Sequence, residues 1–302
     1  MRDIVLTDGG MGQELLRRSG MAATPLWSAQ ILMDRPELVR ELHTDFIRAG
    51  ARVITINTYS ATPERLEMHG DAGRFDELQR QGFELARQAR EDCGDGEVRI
   101  AACLPPLVAS YRPDMAPAYE TCLSIYRRIA DRQARNCDLM LCETLASLKE
   151  IRAAATAAKE TGLPVWVAMT VGDDGSASLR GGETLAVAHA VLDEVGVEAR
   201  LLNCSRPESI SVAWRAFVSG SGPHGAYANG FSSIAKLVPG GTVKELEARE
   251  DLGPDEYADF AMTWVRDGAS IVGGCCEVGP AHIARLRERL EDGGYQIRAT
   301  LE

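Results

Sequence analysis

Three cysteines of this chain come directly after short apolar segments that could be β-strands. Cys204 follows residues 201–203, and Cys275 and Cys276 follow residues 271–274. If these segments are strands of a parallel barrel, their carboxyl ends meet at one mouth and bring the three sulfurs together. Three thiolates can hold a zinc ion and leave its fourth position open for a substrate thiol. The spacing therefore predicts a zinc site and a catalytic centre on Cys204, Cys275 and Cys276.

Two adjacent cysteines seldom bond to each other, because the closed ring is strained relative to ordinary disulfide geometry. This pair follows Gly273-Gly274, where we expect the backbone to turn freely and aim both sulfurs at one ion. The alternative is that the pair only packs in the core, and Cys204 at a second strand end is what favours a metal. The other cysteines fit a packing role, since free buried cysteines are common in cores. They are Cys93, Cys103, Cys122, Cys137 and Cys142.

Polar residues and glycines follow other apolar runs in the same way. These segments are Asp8-Gly9-Gly10, Asn57-Thr58-Tyr59, Glu143-Thr144, Asn203-Cys204-Ser205 and Asn229-Gly230. The loops after the strands of a parallel barrel build its pocket, so these residues are candidates for substrate contact. Each segment could instead be a turn, because Asp, Asn and Gly favour turns. The agreement of several strand ends favours a pocket.

Short runs rich in β-branched residues alternate with amphipathic helical patterns along the chain. The candidate strands are residues 4–8, 52–57, 98–103, 138–143, 165–171, 200–204, 225–228 and 270–273. Helix-start signals lie between them, such as first-turn prolines at Pro36, Pro207 and Pro254. The pattern predicts an α/β fold, a single (β/α)8 TIM barrel that forms one domain over residues 1–302. The alternative is a doubly wound open sheet, but Gly9-Gly10-Met11-Gly12 has the wrong spacing for a dinucleotide fingerprint.

The composition excludes several classes of protein. A chain of 302 residues with 45% hydrophobic and 25% charged residues is typical of a globular enzyme. A net charge of −11 without a basic run argues against nucleic-acid and anionic membrane partners. Residues 1–10 lack the apolar region of a signal peptide, and no apolar run reaches the roughly 18 residues of a membrane span. Eight cysteines are too few for a disulfide scaffold, so we expect a reduced protein in the cytoplasm.

Together these segments resemble the zinc-dependent homocysteine S-methyltransferases over nearly the whole chain. That family includes S-methylmethionine–homocysteine and betaine–homocysteine methyltransferases and the homocysteine module of cobalamin-dependent methionine synthase. The matching segments start at Asp8, Leu26, Pro36, Tyr59, Cys142, Asn203 and Gly273, and the last is followed by Pro280 and His282-Ile283. The two cysteine segments are the most specific. Leu26-Trp27-Ser28-Ala29 and Tyr59-Ser60-Ala61-Thr62-Pro63 are similar to the S-methylmethionine branch.

The resemblance implies a zinc ion on the three cysteines and places the ammonium group of homocysteine on Asp8 and Glu143. The chemistry agrees, because a thiol that coordinates zinc loses its proton and becomes nucleophilic. Two carboxylates at the mouth suit an ammonium group, although pairing with nearby arginines is the alternative. Further candidates for substrate contact are Gly9, Gly10, Asn203 and Asn229.

The methyl donor is the least defined part of the resemblance. The loop at residues 104–113 should border the donor, yet it lacks the Gly-Pro-Tyr-Gly run of the S-methylmethionine branch. Glu277 replaces a glycine that many relatives have after the cysteine pair. Since folate and cobalamin modules and the long extension of betaine enzymes are missing, the resemblance implies an onium donor of the S-methylmethionine or S-adenosylmethionine type. Betaine or dimethylsulfoniopropionate as donor, and another thiol or a selenol as acceptor, are the alternatives.

A positively charged methyl donor can be held by aromatic faces through cation–π attraction. Trp27, after the first strand, and Tyr59, after the second, are the aromatic residues best placed for this role. Core packing is the alternative for Trp27. These two residues are therefore the sequence-based candidates for the donor side of the pocket.

Two other functions compete with methyl transfer. A zinc hydrolase more often uses histidine and carboxylate ligands, and none of the five histidines ends a strand with metal spacing. A zinc-storage or redox sensor would use the same cysteines without turnover. For methyl transfer the expected partners are small molecules, homocysteine and a donor, bound by a chain that could form a homo-oligomer.

Overall fold

The structure is a computed structural model that describes residues 2–94, 96–237 and 246–301. Its strands are β1 Asp3–Leu6, β2 Val53–Thr55, β3 Arg99–Leu104, β4 Leu139–Leu145, β5 Val165–Met169, β6 Ala199–Asn203, β7 His224–Tyr227, β8 Ile271–Val272 and β9 Gln296–Arg298. Neighbouring strands in this nine-stranded sheet are parallel. The first eight overlap the eight runs expected from the sequence, so the α/β pattern is confirmed.

The sheet curls so that β1 pairs with β8 on one side and, just beyond its end, forms a bridge to β2 on the other. The strand order is β2-β3-β4-β5-β6-β7-β8-β1-β9. Further along β1, Thr7 forms a parallel bridge with Val53, and the backbone N–H of Asp8 donates to Val53 O at 2.9 Å. The short β9, which was not predicted, pairs with the start of β1, where Asp3 lies opposite Gln296.

The helices pack around this sheet. They are α1 Met11–Ser19, α2 Ser28–Asp34, α3 Pro36–Ala49, α4 Pro63–Met68, α5 Phe75–Cys93, α6 Tyr119–Ala134, α7 Leu148–Lys159, α8 Leu185–Val195, α9 Pro207–Phe217, α10 Pro254–Arg266 and α11 Pro280–Asp292. The expected prolines begin α3, α9 and α10, where the missing N–H costs nothing. The short α1, α2 and α4 were not predicted. They lie in the loops after β1 and β2, which build one side of a cavity at the carboxyl ends of the strands.

The apolar side chains form two layers, one inside the curl of the sheet and one between the sheet and the helices. In β4, Leu139 and Leu141 belong to the inner layer, whereas Met140 and Cys142 belong to the outer layer. Successive side chains of a strand point to opposite faces. Glu143 continues the inner alternation, so its carboxylate enters the interior at the carboxyl end of the strand.

All eight cysteines are free thiols. Of the five assigned to packing, four are buried and Cys93 is partly buried; Cys103 lies on the inner face of β3, in register with Leu141 of β4. Among the described residues, no helix combines the length and the apolar character needed to cross a membrane.

Candidate active site

The loops after β6 and β8 bring three cysteine sulfurs together. The Sγ of Cys204 lies 2.7 Å from that of Cys275 and 3.9 Å from that of Cys276. All three sulfurs lie within 4.8 Å of one another, and Cys204 and Cys276 are buried. The structure thus assembles the three side chains that the sequence singled out.

Backbone hydrogen bonds between neighbouring loops hold the cysteines in place. The N–H of Cys204 donates to Tyr227 O at 3.1 Å, and the N–H of Cys275 donates to Ala228 O at 2.9 Å. Cys204 itself has a φ of +47°, which non-glycine residues rarely adopt. The loop after β7 therefore bridges the two cysteine segments.

The expectation that Gly273 and Gly274 let the backbone turn freely was wrong. Neither has a positive φ; the left-handed residue of this loop is Glu277, at +65°. The glycines instead allow close packing, because a Cβ on Gly273 would lie 1.8 Å from Thr7 Oγ1, and one on Gly274 would lie 2.2 Å from Val278 Cγ1. The missing side chains, rather than unusual dihedral angles, let the β8 loop pack against the end of β1.

Gly9 and Gly10, after β1, allow the same close packing against the loop after β8. A Cβ on Gly9 would lie 2.1 Å from Val278 O, and one on Gly10 would lie 2.4 Å from Cys275 O. Both glycines also line the cavity beside the cysteines. The absence of side chains at Gly9 and Gly10 therefore lets the segment after Asp8 pack closely against the cysteine loop.

Asp8 and Glu143 lie in the wall of that cavity without a cationic partner among the described residues. The Oδ2 of Asp8 accepts the backbone N–H of Thr55 at 2.8 Å. The Oε1 of Glu143 accepts the thiol of Cys103 at 3.0 Å. The alternative that these carboxylates pair with nearby arginines is thus not seen in the described residues.

Burial dominates the electrostatics of the two carboxylates. Burial raises the pKa of Glu143 to about 7, although the Cys103 thiol opposes the shift. Burial likewise raises the pKa of Asp8 well above its usual value, and the neighbouring Glu143 raises it further against the hydrogen bond from Thr55. Each carboxylate would become more acidic beside a cation, so the pair is suited to receive one.

Trp27 and Tyr59 form an aromatic wall of the same cavity. Their ring centroids lie 6.1 Å apart in an edge-to-face arrangement. Trp27 packs on α1 at Gly12, where a Cβ would lie 2.1 Å from the indole ring. The indole Nε1 is buried and has no hydrogen-bond partner within the described ranges.

Tyr111 is a site residue that the sequence reasoning missed. It belongs to the divergent loop at 104–113, and its hydroxyl lies 2.9 Å from the Sγ of Cys204. The guanidinium of Arg180 lies over its ring, 5.0 Å from the centroid. The available signal was the position of the loop after β3, which the sequence analysis expected to border the donor.

Asn203 and Asn229, by contrast, do not belong to the cavity wall. The side chain of Asn203 accepts the N–H of Thr144 at 3.0 Å and donates to Thr144 Oγ1 at 2.9 Å. Thr144 has a φ of +59°, so this pair of bonds fixes an unusual backbone next to Glu143. The Oδ1 of Asn229 accepts the N–H of Phe231 at 3.2 Å. Asn203 thus fixes the end of β4 and Asn229 the loop after β7, although the buried Nδ2 of Asn229 has no hydrogen-bond partner among the described residues.

The donor set of the cysteine cluster fits a soft metal ion. Burial alone would raise the pKa of Cys204, but hydrogen bonds from the other two thiols and Tyr111 lower it well below its ordinary value. Among the described residues no histidine or carboxylate joins the three sulfurs. Thiolate ligands select zinc over hard divalent cations such as magnesium and calcium.

Comparisons with known proteins agree with this site. The family model of homocysteine S-methyltransferase matches residues 5–290. A homocysteine S-methyltransferase of Escherichia coli is 30% identical over 95% of this chain and 96% of its own length. A selenocysteine Se-methyltransferase of Brassica oleracea var. italica is 29% identical over 94% of this chain and 88% of its own. The structure superposes on the metallated form of the methyltransferase MmuM of Escherichia coli with a TM-score of 0.80, at 30% identity, covering 95% of this chain and 96% of that one.

The fold and these relatives define the chain first as a methyltransferase. More specifically, it belongs to the homocysteine S-methyltransferase family. The family expected from the cysteine segments is therefore confirmed. The metallated form of the solved relative also shows that a metal binds to that protein.

Proposed function

We propose that this protein transfers a methyl group from an onium donor, of the S-methylmethionine or S-adenosylmethionine type, to the thiol of homocysteine, giving methionine. The observation that carries the proposal is one cavity whose wall contains the three cysteines and two carboxylates without a cationic partner in the described residues. Membership of the family supplies the reaction class. Each of these groups takes a separate role in the proposed reaction.

Cys204, Cys275 and Cys276 are the proposed zinc ligands. When bound, zinc supplies acidification of a substrate thiol at neutral pH. Three protein sulfurs would leave the ion a further coordination position for that substrate. Tyr111, within hydrogen-bond distance of Cys204, would keep that sulfur in position.

Asp8 and Glu143 are proposed to bind the ammonium group of homocysteine. Both side chains are enclosed and have raised pKa values, and an ammonium group beside them would favour their ionised forms. Charge-assisted hydrogen bonds from two carboxylates also orient the amino acid. The homocysteine sulfur would then point toward the cysteine cluster.

Trp27 and Tyr59 are proposed to hold the cationic centre of the donor. Aromatic faces attract a cation without competing as nucleophiles. The homocysteine sulfur attacks the methyl carbon, a carbon–sulfur bond forms, and the bond from that carbon to the onium centre breaks. Its electron pair leaves with the donor, which becomes neutral at that atom. Apolar neighbours such as Trp166 and Leu201 help to exclude water.

We infer that the curled sheet is a closed (β/α)8 barrel, supported by the bridge between Thr7 and Val53. We also infer that residues 1–302 are one domain; Met1 and Glu302 lie outside the described residues. A site of three thiols needs a reducing compartment, which supports a cytoplasmic location. Another acceptor, such as a selenol, is a second candidate, because one relative is a selenocysteine methyltransferase.

The test is an assay of methionine formation from homocysteine, with S-methylmethionine, S-adenosylmethionine, dimethylsulfoniopropionate and glycine betaine as separate donors. We expect turnover with at least one sulfonium donor and about one zinc per chain in the reduced protein. Selenocysteine replaces homocysteine in a parallel arm. A stable zinc content without turnover for any pair would contradict methyl transfer and favour a sensor.

A further inference from the structure

Arg65, on the short helix α4, is an arginine in the cavity wall that has no carboxylate partner in the described residues. Its Nη2 donates to Pro106 O at 3.1 Å and to Ser110 Oγ at 3.4 Å. Its Nε is buried and has no hydrogen-bond partner among the residues that the structure describes. The guanidinium therefore retains hydrogen-bonding capacity within an enclosed site.

Two other arginines close to the cavity differ in this respect. Arg112 pairs with Asp114 at 2.6 Å, and Arg180 pairs with Asp173 at 2.9 Å. A buried charge without a counter-ion is costly, and burial lowers the pKa of Arg65 accordingly. A site that keeps such a group is suited to an anionic ligand group, and a planar guanidinium matches a carboxylate.

The surroundings of Arg65 indicate which substrate it faces. Its guanidinium lies over the ring of Tyr59, 5.4 Å from the centroid, and Tyr59 also meets Trp27. The Tyr59 hydroxyl lies 2.8 Å from Ser110 Oγ, in the loop after β3. Arg65 thus adjoins the aromatic wall, whereas its hydrogen bonds involve neither the two carboxylates nor the cysteines.

We propose that Arg65, together with the hydroxyls of Ser110 and Tyr59, binds a carboxylate of the methyl donor. The proposal rests on the proposed function and assigns residues to one group of the donor. The donor is then an onium compound that also carries a carboxylate, with its cationic centre at the aromatic wall and its anionic end on Arg65. The acceptor is held separately, by its ammonium group on Asp8 and Glu143.

The experiment compares S-methylmethionine with its methyl ester, in the wild type, in Arg65→Gln and in Arg65→Lys. Arg128→Gln is the matched control, since Arg128 also lies over an aromatic ring, 4.4 Å from the centroid of Phe75, but is exposed and outside the cavity. Calorimetry measures binding of each compound to the zinc-loaded protein without homocysteine. Steady-state kinetics measure KM for donor and homocysteine, and thermal unfolding verifies that each variant folds.

We expect the wild type and Arg128→Gln to bind the acid about 10- to 100-fold more tightly than the ester, the range for a charged hydrogen-bond pair. Arg65→Gln should lose this preference while the KM for homocysteine stays unchanged. Arg65→Lys should restore part of it, because lysine keeps the charge but not the planar fork. If Arg65→Gln does not fold, the deciding measurement is whether the acid preference of Arg65→Lys is smaller than that of the wild type.

Two results would overturn the inference. One is that Arg65→Gln still binds the acid more tightly than the ester, or that the wild type itself shows no such preference. The other is an increased KM for homocysteine with an unchanged donor constant, which would place the acceptor carboxylate on Arg65. If binding of the acid depends on Arg65 but no donor gives methionine, the subsite stands and the proposed reaction fails.

Discussion

Charged groups at the two edges of the sheet have opposite surroundings. At the amino-terminal edge, Asp138 accepts the N–H of Ile100 at 2.7 Å and pairs with Arg90 at 3.2 Å. Glu198, before β6, accepts the N–H of Val165 at 2.6 Å and pairs with Lys159 at 2.6 Å. At the carboxyl edge, Asp8 and Glu143 have no cationic partner in the described part of the chain, although they are more deeply enclosed.

The backbone shows the same contrast. The described non-glycine residues with positive φ lie at or after the carboxyl ends of strands; they are Trp27, Tyr111, Thr144, Ala177, Cys204 and Glu277. Such conformations cost about 1–3 kcal/mol each and persist where the surroundings hold them. In parallel barrels the amino-terminal edge serves stability and the carboxyl edge serves catalysis. Substitutions at the two edges should therefore separate the two properties.

The largest expected effect is at the cysteine cluster. Cys204→Ser and Cys275→Ser should each abolish stable zinc binding and lower methyl transfer by more than about 100-fold, since even the loss of a group that only orients a metal ligand costs about 10–100-fold. Zinc content by atomic absorption and methionine formation measure this. Cys93→Ser, at a partly buried thiol outside the site, is the control. Full zinc content in Cys204→Ser would contradict the proposal that three thiolates bind the zinc ion.

Removing a carboxylate should weaken homocysteine binding without loss of zinc. Asp8→Asn and Glu143→Gln each lose a charged hydrogen bond to an ammonium group, worth about 1.5–3 kcal/mol, so KM for homocysteine should rise about 10- to 100-fold. The donor constant should change little. An unchanged KM for homocysteine in both variants would contradict ammonium binding by Asp8 and Glu143 and would indicate a structural role for them.

Glu143→Gln should also change the pH dependence of stability. The pKa of Glu143 is about 7 in the folded protein and near 4.5 when unfolded, so ionisation destabilises the fold as pH rises between these values. Glutamine cannot ionise. Its advantage in free energy of unfolding over the wild type should therefore grow from pH 5 to pH 8, toward about 3 kcal/mol. Urea unfolding of the metal-free, reduced proteins measures it, and a difference independent of pH would contradict the burial argument.

The amino-terminal edge should respond in the opposite way. Arg200, 3% exposed, donates to Ser221 and pairs with Asp193 at the start of β6. Arg200→Met should lower the free energy of unfolding by about 1–3 kcal/mol, because it removes the charged hydrogen bonds that the buried guanidinium donates to Ser221 and Asp193. Both Michaelis constants should remain at wild-type values. A rise in either Michaelis constant with an unchanged free energy of unfolding would contradict the proposal that the amino-terminal edge serves stability and the carboxyl edge serves catalysis.

The sequence predicted those features that depend on short stretches of chain. Alternating apolar runs defined the first eight strands, and a strand end fixes where the next residue lies in a parallel sheet. The positions of Cys204 and Cys275 could therefore be anticipated although they are far apart in the chain. The prolines predicted the starts of three helices for the same reason, because this preference depends only on the local backbone.

Features set by contacts between distant segments could not be anticipated. Tyr111 reaches Cys204 only because the loop after β3 folds over the mouth. Arg65 is recognised only because its Nε has no hydrogen-bond partner in the described part of the chain. Asn203 is the last residue of β6, yet its side chain is satisfied by Thr144 of β4, across the end of the intervening β5. The glycine pair before Cys275 acts through packing against β1, which composition does not reveal.

A smaller effect is expected at the aromatic wall. Trp27→Leu keeps apolar bulk but removes the ring, so the KM of an onium donor should rise by about 2- to 30-fold, corresponding to 0.5–2 kcal/mol of cation–π attraction. The homocysteine constant should stay constant, and Trp27→Phe should lose less. If both constants moved together, Trp27 would act through its packing on Gly12.

The smallest effect is expected at Glu277, where backbone strain and an ion pair oppose each other. Its φ of +65° costs a non-glycine residue about 1–2 kcal/mol, whereas its pair with Arg17, at 2.9 Å, contributes at most about 1 kcal/mol. Glycine would relieve the strain but also increase the freedom of the unfolded chain. We therefore expect Glu277→Gly to change the free energy of unfolding by less than about 1 kcal/mol. Glu277→Gln loses the charge but keeps the strain, so it should be the less stable variant in urea unfolding. Equal stability of the two variants would mean that the strain at Glu277 is no larger than the conformational entropy that glycine adds to the unfolded chain, and would weaken one element of the contrast between the edges.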